Sequence, residues 1–131
     1  MVLTGELCAG KTTVTRGIGE GMGIRGSVTS PTFVLARTHP PVTGTVPLVH
    51  VDAYRLGSAD ELDDLALDFD GSAVVIEWGK GMVDESEERL EIEIVRTTGA
   101  GATDSLVEPR TIHFTGYGSR WAKGNFDAIP E

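Results

Sequence analysis

Gly5-Glu6-Leu7-Cys8-Ala9-Gly10-Lys11-Thr12-Thr13 limits what this chain can fold into more than any other stretch. It fits G-x-x-x-x-G-K-[ST], a glycine-rich turn that aims its backbone N–H groups inward and runs straight into a helix N-terminus. Both features favour phosphate oxygens, the N–H groups by hydrogen bonding and the helix end by its positive partial charge. In this reading the nine residues cradle a nucleoside triphosphate. Lys11 reaches the outer phosphates as a point charge, and the Thr12 hydroxyl ligates a magnesium ion that keeps most of its waters. The plainer alternative is a glycine-rich turn that merely joins two elements. The flanks favour the phosphate loop: Met1-Val2-Leu3 is apolar and β-favouring, and Val14, Ile18 and Met22 recur at helical spacing.

With 131 residues the chain suffices for one domain with a real core and is short for two. Eleven basic against twenty acidic side chains leave a formal charge of -9, which repels a phosphate backbone and argues against direct nucleic-acid binding. Cys8 is the single cysteine, so no internal disulfide forms, and no Cys/His cluster has zinc spacing. Cys8 is read as a small tolerated loop residue rather than a redox group. A reducing cytoplasm suits such a chain, and no apolar run approaches a membrane span. Only three apolar residues precede Thr4, fewer than the full central strand that normally leads into a phosphate loop, so an N-terminal segment is expected to be missing.

Downstream, Gly21-Met22-Gly23 ends the first helix. Val28-Thr29-Ser30-Pro31-Thr32-Phe33 is either an ordinary turn or a switch loop that carries hydroxyls, Thr32 among them, toward the outermost phosphate. Phe33 to Arg37 and Leu48 to Asp52 read as two strands joined by a connection rich in proline and glycine. Asp52 falls at a strand's carboxyl end, where ligands gather in open α/β sheets; it either orients water there or caps a turn. His50 reads as a packed, hydrogen-bonded residue rather than a base. Ser58-Ala59-Asp60-Glu61 is a capping box opening a short acidic helix. Ala73-Val74-Val75-Ile76-Glu77-Trp78 has the form of a Walker B strand, doubly buried and ending in one carboxylate for the magnesium site. Trp78 either stacks on a base or fills a strand-end crevice. Arg89 to Val95 and Arg110 to Thr115 read as a sheet-edge hairpin, and the tail from Gly116 to Glu131 as loosely held. The predicted fold is a single α/β domain over residues 1–131: a P-loop NTPase-like mixed sheet flanked by helices in three α/β/α layers.

The phosphate loop, Thr29-Ser30-Pro31-Thr32-Phe33, His50-Val51-Asp52-Ala53-Tyr54-Arg55-Leu56 and Ile76-Glu77-Trp78, in this order and at these intervals, resemble the bacterial TsaE family, formerly called YjeE. The similarity covers about residues 2–95, more weakly Arg110 to Trp121. It implies a small cytoplasmic P-loop ATPase that helps make N6-threonylcarbamoyladenosine in tRNAs reading codons that begin with adenine. It would work with the transferase TsaD and its scaffold TsaB, meeting tRNA only through that complex, with no membrane partner. By the same resemblance Lys11 binds phosphate, Thr12 and Glu77 ligate magnesium, Asp52 is needed for hydrolysis, Thr32 lies in a switch-like loop and Trp78 is the active-site tryptophan. Cys8 stands where the family usually has glycine. No N-K-x-D stretch of the guanine-specific P-loop proteins occurs, which favours ATP. A small-molecule kinase and a nucleotide-responsive binding module without essential hydrolysis are the alternatives; the first lacks an arginine-rich lid segment.

Overall fold

The computed structural model describes residues 1–6, 9–24, 28, 35–83, 88–96 and 109–122. Its sheet has six strands: β1 (Val2–Gly5), β2 (Ala36–His39), β3 (Leu48–Asp52), β4 (Ala73–Glu77), β5 (Arg89–Arg96) and β6 (Arg110–Tyr117). They lie in the order β2-β3-β4-β1-β5-β6. The four inner strands are parallel, and the outer two pair antiparallel with their neighbours. Helices α1 (Lys11–Gly21), α2 (Ala59–Asp63) and α3 (Ser119–Ala122) complete the described elements.

Successive side chains of a strand point to opposite faces, and both faces of the central strands are apolar. On one face Leu3, Leu48, Val75, Leu90, Ile92 and Ile94 meet Val14 and Ile18 of α1, Met22 just past its end, and Trp121 of α3. On the other, Val49, Val51, Val74 and Ile76 meet Leu62 of α2 together with Ala53 and Leu56. This is the three-layer α/β arrangement expected for the chain. The helical spacing of α1 therefore records which side of the sheet it covers. Its end is a Schellman turn: Gly23 N–H donates to the Glu20 carbonyl at 3.2 Å and Ile24 N–H to the Gly19 carbonyl at 3.0 Å.

Some boundaries differ from the sequence expectation. β2 was expected over Phe33 to Arg37, but its ladder with β3 runs from Ala36 to His39; residues 33 and 34 are outside the described ones. Pro40 follows at once and has no N–H to extend the ladder. The β5–β6 hairpin is longer than expected because eight pairs form, from Arg96↔Arg110 to Arg89↔Tyr117. The Arg89 guanidinium sits over the Tyr117 ring at 4.0 Å. The first part of the expected loose tail is thus regular: the strand reaches Tyr117, and α3 follows with Glu88 accepting from Ser119 N–H at 3.0 Å and its hydroxyl at 2.9 Å. Residues 123–131 lie outside the described ones. The capping box is incomplete, since Ser58 makes no side-chain cap bond and Glu61 accepts from Gly57 N–H at 2.8 Å instead. Among the described residues no helix is long and apolar enough to cross a membrane.

Candidate functional site

The candidate site lies outside the carboxyl ends of β1, β3 and β4, where α/β sheets gather their ligands. β1 ends at Gly5, and this position tolerates no side chain: a Cβ there would lie 2.8 Å from the Ile94 carbonyl oxygen of β5. The chain turns with Ala9 N–H donating to the Glu6 carbonyl at 3.0 Å, and enters α1 through Gly10 at φ 113°, a left-handed geometry that glycine adopts freely. Lys11, the first residue of α1, is buried. Its Nζ donates to the Gly5 carbonyl at 2.8 Å and the Glu6 carbonyl at 2.7 Å, and lies 4.1 Å from the centre of the Trp78 ring. Of the other loop residues, Ala9 is buried while Glu6 and Thr13 are exposed. Leu7 and Cys8 are outside the described residues, as is Thr32 of the expected switch loop.

Thr12 and Glu77 come together across 65 residues of sequence. The Thr12 hydroxyl donates to Glu77 Oε1 at 3.0 Å. Glu77 ends β4 beside Asp52, its register partner at the end of β3, so both acids stand on the α1 side of the sheet. The other carboxylate oxygen, Oε2, is 2.9 Å from Nε2 of His50, and both side chains are buried. His50 is packed and hydrogen-bonded, as read from sequence, but its partner was not foreseen. Asp52 is half-buried, and its Oδ1 accepts from Tyr54 N–H at 3.0 Å in an Asx turn. The turn-capping role and a role toward ligand are therefore compatible in one carboxylate. Adjacent ligands of an octahedron with bonds of roughly 2.05 Å stand about 2.9 Å apart, which is close to the Thr12–Glu77 separation. One small divalent ion fits against both oxygens.

Trp78 follows Glu77 with φ 59°, a strained value for a bulky residue. Its N–H donates to the Leu3 carbonyl at 3.0 Å, and its ring meets that of Tyr54 with centres 5.1 Å apart. Tyr54 is 67% exposed, so the aromatic pair runs from Lys11 to the surface. Arg110 reaches the loop from the opposite side, its Nε donating to the Ala9 carbonyl at 3.0 Å. Sequence reasoning gave neither Tyr54 nor Arg110 a place in the site. Tyr54 had a signal, being two residues beyond Asp52; Arg110 is 101 residues from its partner and had none.

The family model described as "Threonylcarbamoyl adenosine biosynthesis protein TsaE" matches residues 1–103. The chain belongs to the TsaE family. The tRNA threonylcarbamoyladenosine biosynthesis protein TsaE of Streptomyces coelicolor is 52% identical over 133 residues, spanning 98% of this chain and 87% of that protein. The TsaE of Mycobacterium tuberculosis strain H37Rv is 47% identical over 108 residues, 75% of this chain and 64% of its own length. That of Bacillus subtilis is 41% identical over 126 residues, 92% of this chain and 72% of its own length. Family membership places this chain in tRNA threonylcarbamoyladenosine biosynthesis. The TsaE model match takes in the glycine-rich loop, β3 and β4, and hence Lys11, Thr12, Asp52, Glu77 and Trp78; Arg110 falls beyond it.

Proposed function

We propose that this chain binds ATP with magnesium and hydrolyses it, and that hydrolysis resets a TsaD–TsaB complex between turnovers of N6-threonylcarbamoyladenosine formation in tRNA. One observation supports this reading above the rest: the Thr12 hydroxyl and the Glu77 carboxylate meet at 3.0 Å beside the buried Lys11. When bound, magnesium would neutralise charge on the outer phosphates, held by Thr12 and Glu77. The chain's own groups do the rest. Backbone N–H groups of the loop grip phosphate oxygens, and Lys11 exchanges its two carbonyl partners for them. Asp52 orients the attacking water from the end of β3. Trp78 and Tyr54 shield Lys11 from bulk water, which strengthens its field on the phosphates. A partner residue completes the charge stabilisation, a contribution of roughly 10³ to 10⁵ in rate when an arginine finger supplies it.

The test is ATP turnover by the purified chain alone and with TsaB and TsaD, with Lys11→Ala as control. Slow turnover alone and a large rise with both partners is the expected result. Equal turnover with and without them would overturn the partnership, and no turnover in either case would leave a binding module.

A further inference from the structure

We propose that His50 is a positioning residue that locks the Glu77 carboxylate against Thr12, so that the acid offers a divalent ion one fixed oxygen. The inference deepens the metal reading of Glu77 and rests on it. His50 is fully buried on β3, on the face it shares with Asp52 and Glu77. Its Nε2 lies 2.9 Å from Glu77 Oε2, while Thr12 occupies Oε1 at 3.0 Å. With each oxygen engaged by a different donor, the carboxylate cannot turn about its last bond without breaking one of the two contacts.

The second observation is the other ring nitrogen. Nδ1 of His50 is buried with no hydrogen-bond partner among the described residues. A proton there would be an unsatisfied buried donor, so the ring carries its proton on Nε2 and donates it to Oε2. Burying Nδ1 without a partner has a desolvation cost that an aliphatic side chain would avoid, and Leu48 fills the same face two residues earlier without it. Packing alone does not account for an imidazole here. The hydrogen bond to Glu77 does, in the way that partners outside a metal's ligand shell orient the ligands themselves.

Three measurements on the full chain test this. In the metal-free protein, the histidine nitrogen–proton correlation spectrum shows the Nε2–H tautomer for His50; an Nδ1–H tautomer would overturn the proposal. Binding of a non-hydrolysable ATP analogue is then titrated with and without magnesium. His50→Leu weakens the magnesium dependence about 10- to 100-fold while metal-free affinity stays within about threefold. His50→Gln, whose amide N–H sits near the place of Nε2, restores it to within about fivefold. A leucine variant with wild-type magnesium dependence, or a glutamine variant no better than leucine, refutes the role of His50. Glu77→Gln separates the two levels: if it too keeps wild-type magnesium dependence, the metal reading of Glu77 falls as well. The tautomer measurement needs no variant and decides the hydrogen bond even if His50→Leu does not fold.

Discussion

Alanine at Gly5 tests how the loop is anchored to the sheet. The new Cβ would lie 2.8 Å from the Ile94 carbonyl oxygen and 3.1 Å from the Ala9 Cβ. Gly5 pairs with Ile94 in the β1–β5 ladder, so the first obstacle is backbone and cannot swing aside like a side chain. Relief requires β1 and β5 to separate by several tenths of an ångström at the point where the loop departs. Overpacking of this kind costs about 1–3 kcal/mol. Unfolding entropy is roughly 2.1 cal/mol/K per residue, or about 0.28 kcal/mol/K for 131 residues, so Tm falls by about 4–11 °C. The same substitution at Gly17 should do the opposite. Gly17 lies inside α1 with nothing within 4 Å of its added Cβ, and alanine there gains about 0.5–1 kcal/mol in helix preference, raising Tm by about 2–4 °C. Thermal unfolding followed by circular dichroism at one pH reads both. Gly5→Ala melting within a degree of wild type would refute the close approach of β1 to β5, and with it the explanation of why the loop begins in glycine.

If Lys11 meets phosphate as proposed, Lys11→Ala removes a charged donor worth about 1.5–3 kcal/mol and should weaken ATP-analogue binding roughly 10- to 100-fold by calorimetry; unchanged affinity would remove Lys11 from the site. Asp52→Asn keeps the oxygen that accepts from Tyr54 N–H, so nucleotide affinity should stay within about threefold while hydrolysis in the presence of partners drops about 10²-fold or more. His39 is 7% exposed, and burial above all, with Arg37 nearby, holds its pKa below the usual imidazole range. The unfolded chain therefore takes up a proton near pH 6.5 that the folded chain still refuses, and stability declines as pH falls from about 6.5 toward the folded value. His39→Phe should flatten the fall of Tm between pH 7 and 5; an unaltered slope would show that other groups carry it.

The fold was legible where burial leaves an unambiguous mark. β4 reads as Ala-Val-Val-Ile because helices cover both of its faces, and α1 reads from Val14, Ile18 and Met22 because it covers only one. Glu77 stood out as a carboxylate closing an apolar run, and Asp52 as an acid at a strand's end. What escaped were features set by a partner distant in sequence. The start of β2 depends on where β3 offers a free edge, and the helix at Ser58 spends its Glu61 on Gly57 rather than on its own cap. His50 gave away its burial through the alternation of β3, but nothing local announced a bond to Glu77, 27 residues on. Arg110 belongs to the same class, its target fixed only once β6 is laid beside β5.

The same polar residues also determine which way the site faces. Val74, Val75 and Ile76 are buried alike, so hydrophobicity by itself barely distinguishes one register of β4 against β3 from the next. A slip of one residue, however, would send Glu77 to the α2 side, beside Val51 and away from Thr12, and leave His50 buried without an acceptor. Two unsatisfied buried groups cost about 1–3 kcal/mol each, more for a charged one, which outweighs any gain from exchanging one valine contact for another. The observed register, with Asp52 opposite Glu77 and Leu3 opposite Glu77 on the other edge of β4, is the one that satisfies both. In this sheet the groups assigned to chemistry also hold the strands in place, and a change at His50 or Glu77 acts on fold and site together.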